Sequence, residues 1–205
     1  MSLSTWLALV GFFFIGGLTP GPAVMLVMGA ATRYGFRPAM VAGLGIASAN
    51  VLWLALAASG AAVLAARYPD ALAAAKWAGL GVIVWLGAMQ MRAPVGTLSD
   101  RLDTAPPRGR LYASGLALQL ANPLALITFA ALIPGFFDAT RPVRPQYLTM
   151  VATITVLELN GLAVYAAFGS WIRRRLDDPV RARAFNVAVG GLLIAAGSWA
   201  VRSTI

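Results

Sequence analysis

Residues 4–31 read STWLALVGFFFIGGLTPGPAVMLVMGAA, an apolar run that is interrupted near its middle by Thr19-Pro20-Gly21-Pro22. A bilayer core about 30 Å thick takes roughly 20 apolar residues per helix, so the run is long enough to cross a membrane. Proline lacks a backbone N–H and clashes with the preceding helical turn. The stretch therefore predicts a membrane helix in two halves, and its freed backbone groups must face protein or a wet cavity.

The composition of the whole chain is that of a membrane protein. Of 205 residues, 60% are hydrophobic and 11% are charged, and the mean hydropathy is +0.77. In soluble domains, roughly a quarter of all residues are charged. The chain has no Cys and no His, which removes disulfides, thiolate and imidazole metal ligands, and the usual proton shuttle. We therefore expect no cofactor and no resident metal.

Six apolar runs, separated by short polar segments, predict six membrane helices in one domain that covers residues 1–205. The runs lie at about 4–31, 39–66, 71–91, 111–137, 147–172 and 184–201. The segment 93–110 contains Pro94, Pro106 and Pro107 and predicts a linker between two halves, residues 1–92 and 111–205.

Each half holds three spans, and this odd number makes the second half enter the membrane upside down relative to the first. The run 111–137 is interrupted at Asn122-Pro123, which matches the interruption of the first run. The predicted fold is thus all-α, with six transmembrane helices in two inverted three-helix repeats whose first and fourth helices are broken. Paired interruptions in inverted halves are the strongest sequence indicator of a transporter's substrate site.

The net charge of +9 is best explained by membrane topology. Basic residues flank the apolar runs without interleaved aromatic residues, a pattern that predicts no nucleic-acid partner. Cytoplasmic loops carry the excess of Lys and Arg. Eleven of the 16 basic residues lie in the first, third and fifth loops: Arg33, Arg37, Arg92, Arg101, Arg108, Arg110, Arg173, Arg174, Arg175, Arg181 and Arg183. Both termini are therefore predicted to lie outside, and the first span is not predicted to be a removable signal peptide.

Polar residues within the spans are the candidates for function. Glu158 is the only acidic residue deep within a span, where a charge costs at least ~2.5 kcal/mol. Because His is missing, we predict that Glu158 carries the coupled proton. The alternative is a neutral glutamate that joins helices by hydrogen bonds. The predicted substrate-binding residues are those at the two interruptions and the amides of the spans, although each amide alone would equally suit interhelical bonding: Thr19, Pro20, Gly21, Pro22, Asn50, Gln119, Asn122, Pro123 and Asn160.

Several short motifs follow one another in a characteristic order. They are Thr19-Pro20-Gly21-Pro22, Gly35-Phe36-Arg37, Gly43-Leu44-Gly45-Ile46-Ala47, Lys76-Trp77-Ala78-Gly79, Trp85-Leu86-Gly87, Gly115, Asn122-Pro123, Pro134, Phe136-Phe137, and Glu158 seven residues before Tyr165. Over nearly the whole chain this order resembles the lysine exporter (LysE) superfamily, in its homoserine/threonine-efflux branch. The resemblance implies a bacterial inner-membrane exporter of amino acids or related small metabolites, driven by proton antiport.

Two positions depart from the family pattern. Asn50 stands where relatives often have Asp, and Leu124 stands where many have Lys. Both changes replace a charged group by a neutral one, so the family's substrate selectivity does not transfer. Neutral or zwitterionic substrates fit better than dibasic ones, because Glu158 is the only obvious anion for an additional positive charge.

Three other functions are possible from the sequence. A metal or inorganic-ion exporter would need more oxygen ligands than one buried carboxylate. An intramembrane enzyme would need catalytic residues beyond a lone glutamate, so we predict that the chain is not an enzyme. A structural membrane protein would tolerate the loss of both helix interruptions. The sequence leaves the substrate and the oligomeric state open, a homodimer included.

Overall fold

The structure is a computed structural model that describes residues 1–18, 21–59, 69–92, 105–129, 133–138, 140–173 and 178–202. All regular secondary structure within these ranges is helical, which confirms the predicted all-α class. The helices are α1 Leu3–Leu18, α2 Pro22–Tyr34, α3 Phe36–Ala58, α4 Pro69–Met91, α5 Arg108–Leu120, α6 Pro123–Ile127, α7 Val143–Arg173 and α8 Pro179–Arg202, with a 3-10 turn at Ile133–Phe136.

The apolar helices include membrane-spanning candidates. Phe36–Ala58 and Val143–Ile172 are each long and apolar enough to cross a bilayer. Leu3–Gly17 and Pro22–Tyr34, with axes at 51° to each other, form a third candidate if they are counted as one broken span. Within α4 and α8, Leu80–Met91 and Arg183–Ala195 are shorter apolar helical segments. The described residues thus contain two or three spans by length and composition, and the arrangement of six spans stays a prediction.

Both predicted interruptions separate helices in the structure. α1 ends at Leu18 and α2 begins at Pro22, while α5 ends at Leu120 and α6 begins at Pro123. Proline suits the first position of a helix, where its missing N–H would have no partner. Asn122 caps α6, because its side chain accepts a hydrogen bond of 3.1 Å from the backbone N–H of Leu124.

The turn between α2 and α3 depends on one glycine. Gly35 has φ of +89° and is the one residue with positive φ among those described. Its N–H donates to the carbonyl of Ala31 and closes the last turn of α2. A side chain is strained in this backbone conformation, which explains why glycine occupies the turn.

Small residues bring the helices into close contact. α3 packs mainly against α5, α4 against α8, and α7 against α2, α3 and α1. Gly45 of α3 lies directly on the backbone of Tyr112, and Gly115 of α5 lies on that of Ala42. Such contacts allow backbones to approach closely where lipid offers no hydrophobic drive for helix association.

Two hydrogen bonds identify which chain segments share an end of the bundle. The Arg141 guanidinium donates to the carbonyl of Met1 at 3.5 Å, which places the amino terminus beside the start of α7. The Arg183 guanidinium donates to the carbonyl of Met91 at 3.1 Å, which joins the end of α4 to the start of α8. α7 begins beside the first contact and, with 31 residues at 1.5 Å per residue, ends about 46 Å away at Arg173. α8 begins six positions later, at Pro179, so the second contact lies at the opposite end of the bundle.

Candidate functional site

A cavity of about 210 Å³ lies where both helix interruptions meet α1, α3 and α7. Its volume suits a small metabolite, because pockets for drug-sized ligands measure ≈ 300–1,000 Å³. Six of the residues predicted from the sequence line this one cavity: Gly21, Pro22, Asn50, Gln119, Asn122 and Glu158. The structure therefore brings together residues that are up to 137 positions apart in the printed sequence.

Three buried amides on one side of the cavity form a hydrogen-bonded chain. The Asn122 side-chain amide donates to Gln119 Oε1 at 3.2 Å, and Gln119 Nε2 donates to Asn50 Oδ1 at 2.7 Å. All three side chains are buried, with at most 7% of their surface exposed. These two hydrogen bonds hold the interruption at Asn122 against the middle of α3. They also fix which way each amide points toward the cavity.

The backbone carbonyl of Gln119 has a further partner. The indole N–H of Trp53 donates to it at 3.2 Å, so one of the acceptors near the end of α5 is satisfied from α3. This bond meets the requirement that backbone groups at a helix break find partners inside the protein.

The amino terminus of α2 contributes backbone N–H groups to the cavity. Gly21, Pro22, Ala23 and Val24 all line it, and the first intrahelical bond of α2 runs from Met25 N–H to the Gly21 carbonyl at 3.0 Å. The N–H groups of Ala23 and Val24 thus precede the helical ladder. They carry the partial positive charge of a helix amino terminus, which favours an anionic group.

Glu158 contributes the carboxylate of the cavity. It lies on α7 with Gly161 and Leu162, which line the same cavity three and four residues later. Side chains at this spacing share one face of a helix. The two ion pairs found among the described residues join Arg141 to Asp138 and Arg181 to Asp178, so neither neutralises Glu158.

The remaining wall is apolar and was not predicted as part of the site. It includes Phe12 and Phe13 of α1 and Phe129 beyond α6, with the hydroxyl group of Thr128 beside them. The rings of Phe13 and Phe129 lie 6.1 Å apart between centroids at 52°. Apolar residues in a membrane span face either lipid or protein, so the sequence contains no signal that separates these phenylalanines from the lipid-facing ones.

The LysE type translocator family matches residues 14–203 of the chain. The protein is a member of this family. It is therefore a membrane transport protein and not an enzyme, as predicted, and the resemblance drawn from the motifs is confirmed.

Similar curated proteins cover almost the same length as this translocator. The homoserine/homoserine lactone efflux protein of Salmonella typhimurium is 28% identical over 97% of this chain and 96% of its own. The leucine efflux protein of Salmonella choleraesuis is 24% identical over 94% and 92%. An uncharacterized membrane protein of Vibrio cholerae is 24% identical over 96% of both chains. No solved structure matches the translocator significantly.

Four predicted site residues remain, and one of them lies away from the cavity. The side chain of Asn160 is exposed and donates to the carbonyl of Val156 at 2.7 Å, one turn earlier in α7. Two residues correspond to 200° around a helix, so Asn160 and Glu158 point in different directions. Thr19 and Pro20 lie outside the described residues. Pro123 begins α6, and its side chain also lies outside the described part.

Proposed function

We propose that this translocator exports a small zwitterionic metabolite, an amino acid or a close derivative, from the cytoplasm in exchange for protons. The observation that carries the proposal is the shared cavity of the two interruptions, which combines an amide chain, a helix amino terminus and one carboxylate. Membership of the family supports a transport function, and the polar groups of the cavity support a zwitterionic substrate.

The groups in the cavity complement the two charges of an amino acid. The first N–H groups of α2 suit a carboxylate, and the Glu158 carboxylate suits an ammonium group. The wall formed by Phe12, Phe13 and Phe129 then suits an uncharged side chain. Homoserine and leucine, which appear in the names of two relatives, both have an uncharged side chain.

A single carboxylate also provides a simple basis for exchange. Ionised Glu158 can hold the substrate ammonium or accept a proton, but the protonated form has no charge to offer the ammonium group. Substrate and proton therefore compete for one site, and each displaces the other. This competition gives antiport if the cavity reopens to the other side of the membrane only while Glu158 holds a substrate or a proton.

The six-span arrangement with two inverted repeats is proposed on the packing pattern. Span two packs on span four through α3 and α5, and span five packs on span one through α7 and α2. Exchanging the two halves exchanges these pairs, while the pairing of α4 with α8 maps onto itself. Gly87 and Gly190 face each other in that last pair, which supports an axis of pseudo-symmetry between spans three and six.

The proposed orientation follows from the arginines at one end of the bundle. The contact between Arg183 and Met91 supports a common end for the third and fifth loops, which the positive-inside rule assigns to the cytoplasm. The contact between Arg141 and Met1 supports an outside position for the amino terminus. We propose the bacterial inner membrane as the location.

The test of this function is proton-driven efflux from proteoliposomes loaded with homoserine or leucine. We expect Glu158→Gln to reduce proton-driven efflux by at least roughly 100-fold, about 2.7 kcal/mol of coupling, because the amide neither ionises nor exchanges a proton. Asn160→Ala is the matched control, since it alters the same helix outside the cavity and should keep wild-type transport. Unchanged proton-driven efflux by Glu158→Gln would exclude the glutamate from coupling.

A further inference from the structure

A second cavity, of about 510 Å³, lies at the end of the bundle where the third loop begins. It is bounded by the last turns of α2 and α4 and by the first turn of α5. The two cavities have no lining residue in common among the described residues. The second cavity is therefore separate from the proposed transport site.

Three arginines at the ends of three helices line this second cavity: Arg33 in α2, Arg92 directly after α4, and Arg110 in α5. The guanidinium carbon of Arg33 lies 4.8 Å from the centroid of the Tyr34 ring, which also lines the cavity. The two ion pairs among the described residues involve neither Arg92 nor Arg110. The cavity thus gathers positive charge from separate parts of the chain.

The first turn of α5 adds to this positive charge. It contains Arg108 and Arg110 and no acidic residue, and Pro107 at its start provides no side-chain cap. Cations at a helix amino terminus are unfavourable, because the helix dipole is positive there. A bound anion would relieve this repulsion and would also accept hydrogen bonds from the guanidinium groups.

The inner wall of the same cavity is apolar and opens sideways. Leu26, Leu86 and Leu111 form part of it, and Trp85 and Met89 of α4 complete it with 59% and 40% of their surfaces exposed. α4 packs mainly on α8 and α5 mainly on α3, and the exposed Trp85 and Met89 place the cleft between α4 and α5 on the apolar outer surface of the bundle. The arginines suit the phosphate group of a phospholipid, and the apolar wall beside them suits its acyl chains.

We propose that this cavity binds the headgroup of an anionic phospholipid, with an acyl chain lying along Trp85 and Met89. Arginine binds phosphate oxygens in a bidentate manner, and basic pockets between membrane helices are typical headgroup sites. The bound lipid bridges α2 and α4 of the first half to α5 of the second. A free anion such as inorganic phosphate would use the arginines but not the apolar wall.

The first experiment measures lipid binding by native mass spectrometry of the full chain. We expect phosphatidylglycerol to bind more tightly than phosphatidylcholine. The double variant Arg92→Gln/Arg110→Gln should weaken phosphatidylglycerol binding by roughly 20- to 30-fold, because each arginine near an anionic surface contributes about 1 kcal/mol. Arg144→Gln, at the opposite end of the bundle, is the control and should bind like the wild type. Equal binding by the double variant and the wild type would overturn the proposal.

A second experiment locates the lipid and separates it from a free anion. Phosphatidylglycerol with brominated acyl chains, added as a minor component to phosphatidylcholine nanodiscs, should quench a fluorescence component that Trp85→Phe removes and Trp77→Phe does not. Inorganic phosphate at a concentration similar to that of the lipid should not displace the lipid, so it should not restore the quenched fluorescence. Equal quenching losses in the two tryptophan variants, or competition by phosphate at similar concentration, would contradict a lipid site. This readout needs only tryptophan variants, so it remains decisive if the double arginine variant fails to fold.

Discussion

At the scale of single residues, the chemistry of the proposed transport cavity depends on a few polar side chains in an apolar bundle. Gln119 is central, because its side chain accepts from Asn122 and donates to Asn50. Removing one member of such a chain leaves a buried amide without its partner, at a cost of ≈ 1–3 kcal/mol. The amides therefore position one another, and Glu158 is the group that changes charge in the proposed exchange.

Asn50→Asp tests how cavity charge selects substrates. The aspartate keeps the shape of Asn50 and still accepts the 2.7 Å hydrogen bond from Gln119, but it adds a second negative charge to the cavity. We expect preference to shift from neutral amino acids toward lysine or ornithine by roughly tenfold, about 1.4 kcal/mol. Competition between labelled neutral and dibasic amino acids in proteoliposomes measures the shift. A preference that does not change would argue that Asn50 has only a structural role.

Phe129→Ala tests the apolar wall. Phe129 is 2% exposed and lines the cavity, so truncation enlarges the space beside the substrate side chain. We expect bulkier substrates to gain relative to small ones, together with a lower melting temperature, because Phe→Ala in a core costs about 3–5 kcal/mol.

The control for the apolar wall is Phe14→Ala. Phe14 lies on α1 with 57% of its surface exposed, so its truncation should leave both the substrate preference and the melting temperature near wild type. If the two variants had the same substrate profile, Phe129 would not be a specificity residue.

At the scale of elements, the two interruptions decide where backbone groups become available. α2 and α6 both begin at a proline, and each follows a helix that ends three or four positions earlier. In a continuous helix at either place, every backbone N–H group would donate to a carbonyl of the same helix, and none would be available to a ligand. At the start of α2, Pro22, Ala23 and Val24 line the cavity together with the preceding Gly21.

Pro22→Ala and Pro123→Ala test the interruptions. Alanine is a better helix former than proline by about 3 kcal/mol in a helix interior, so Pro123→Ala allows α5 and α6 to join, and Pro22→Ala allows α2 to extend toward Pro20. We expect each to lower efflux at least roughly tenfold while the protein still folds, about 1.4 kcal/mol in transport. Transport by both variants at the wild-type rate would favour a protein in which the breaks are only packing features.

Pro38→Ala is the matched control for these proline variants. Pro38 lies in the first turn of α3, where proline and alanine are both tolerated. Its replacement should leave efflux unchanged, and this result would assign any loss in the other variants to the interruptions.

At the scale of the whole molecule, close contacts of glycines join the two halves. Gly45→Ala places a methyl group on the backbone of Tyr112 and near that of Leu116, where only a shift of α3 against α5 makes room. Overpacking of this kind typically costs 1–3 kcal/mol. We expect a clear drop in melting temperature and in efflux, because α3 carries Asn50 into the cavity.

Gly81→Ala is the control for helix packing. A methyl group at Gly81 of α4 has nothing within 4 Å among the described atoms, and alanine is the better helix former by about 1 kcal/mol. This variant should be at least as stable as the wild type in the same detergent melt. Similar melting temperatures for the two glycine variants would show that the contact between α3 and α5 is adaptable.

Much of the fold and part of the site could be predicted from the sequence. The interruptions follow from Pro22 and Pro123, because proline acts on its own helical turn. The inward position of Glu158 follows from the cost of a carboxylate that faces lipid. The aromatic wall and the exposed position of Asn160 could not be read in the same way. They depend on the rotation of each helix, and a span that is apolar all round does not encode its rotation.

The sequence by itself determined a helical membrane protein with two broken helices, since composition, run length and proline act locally and lipid leaves the backbone no alternative. Only the tertiary structure decided which side chains meet. Contacts such as Gly45 on Tyr112 and Gly115 on Ala42 set the rotation and depth of α3 against α5. That placement aligns Asn50 with Gln119, and the packing of α7 adds Glu158 to the same cavity. Helix packing therefore brings separate polar residues into one cavity.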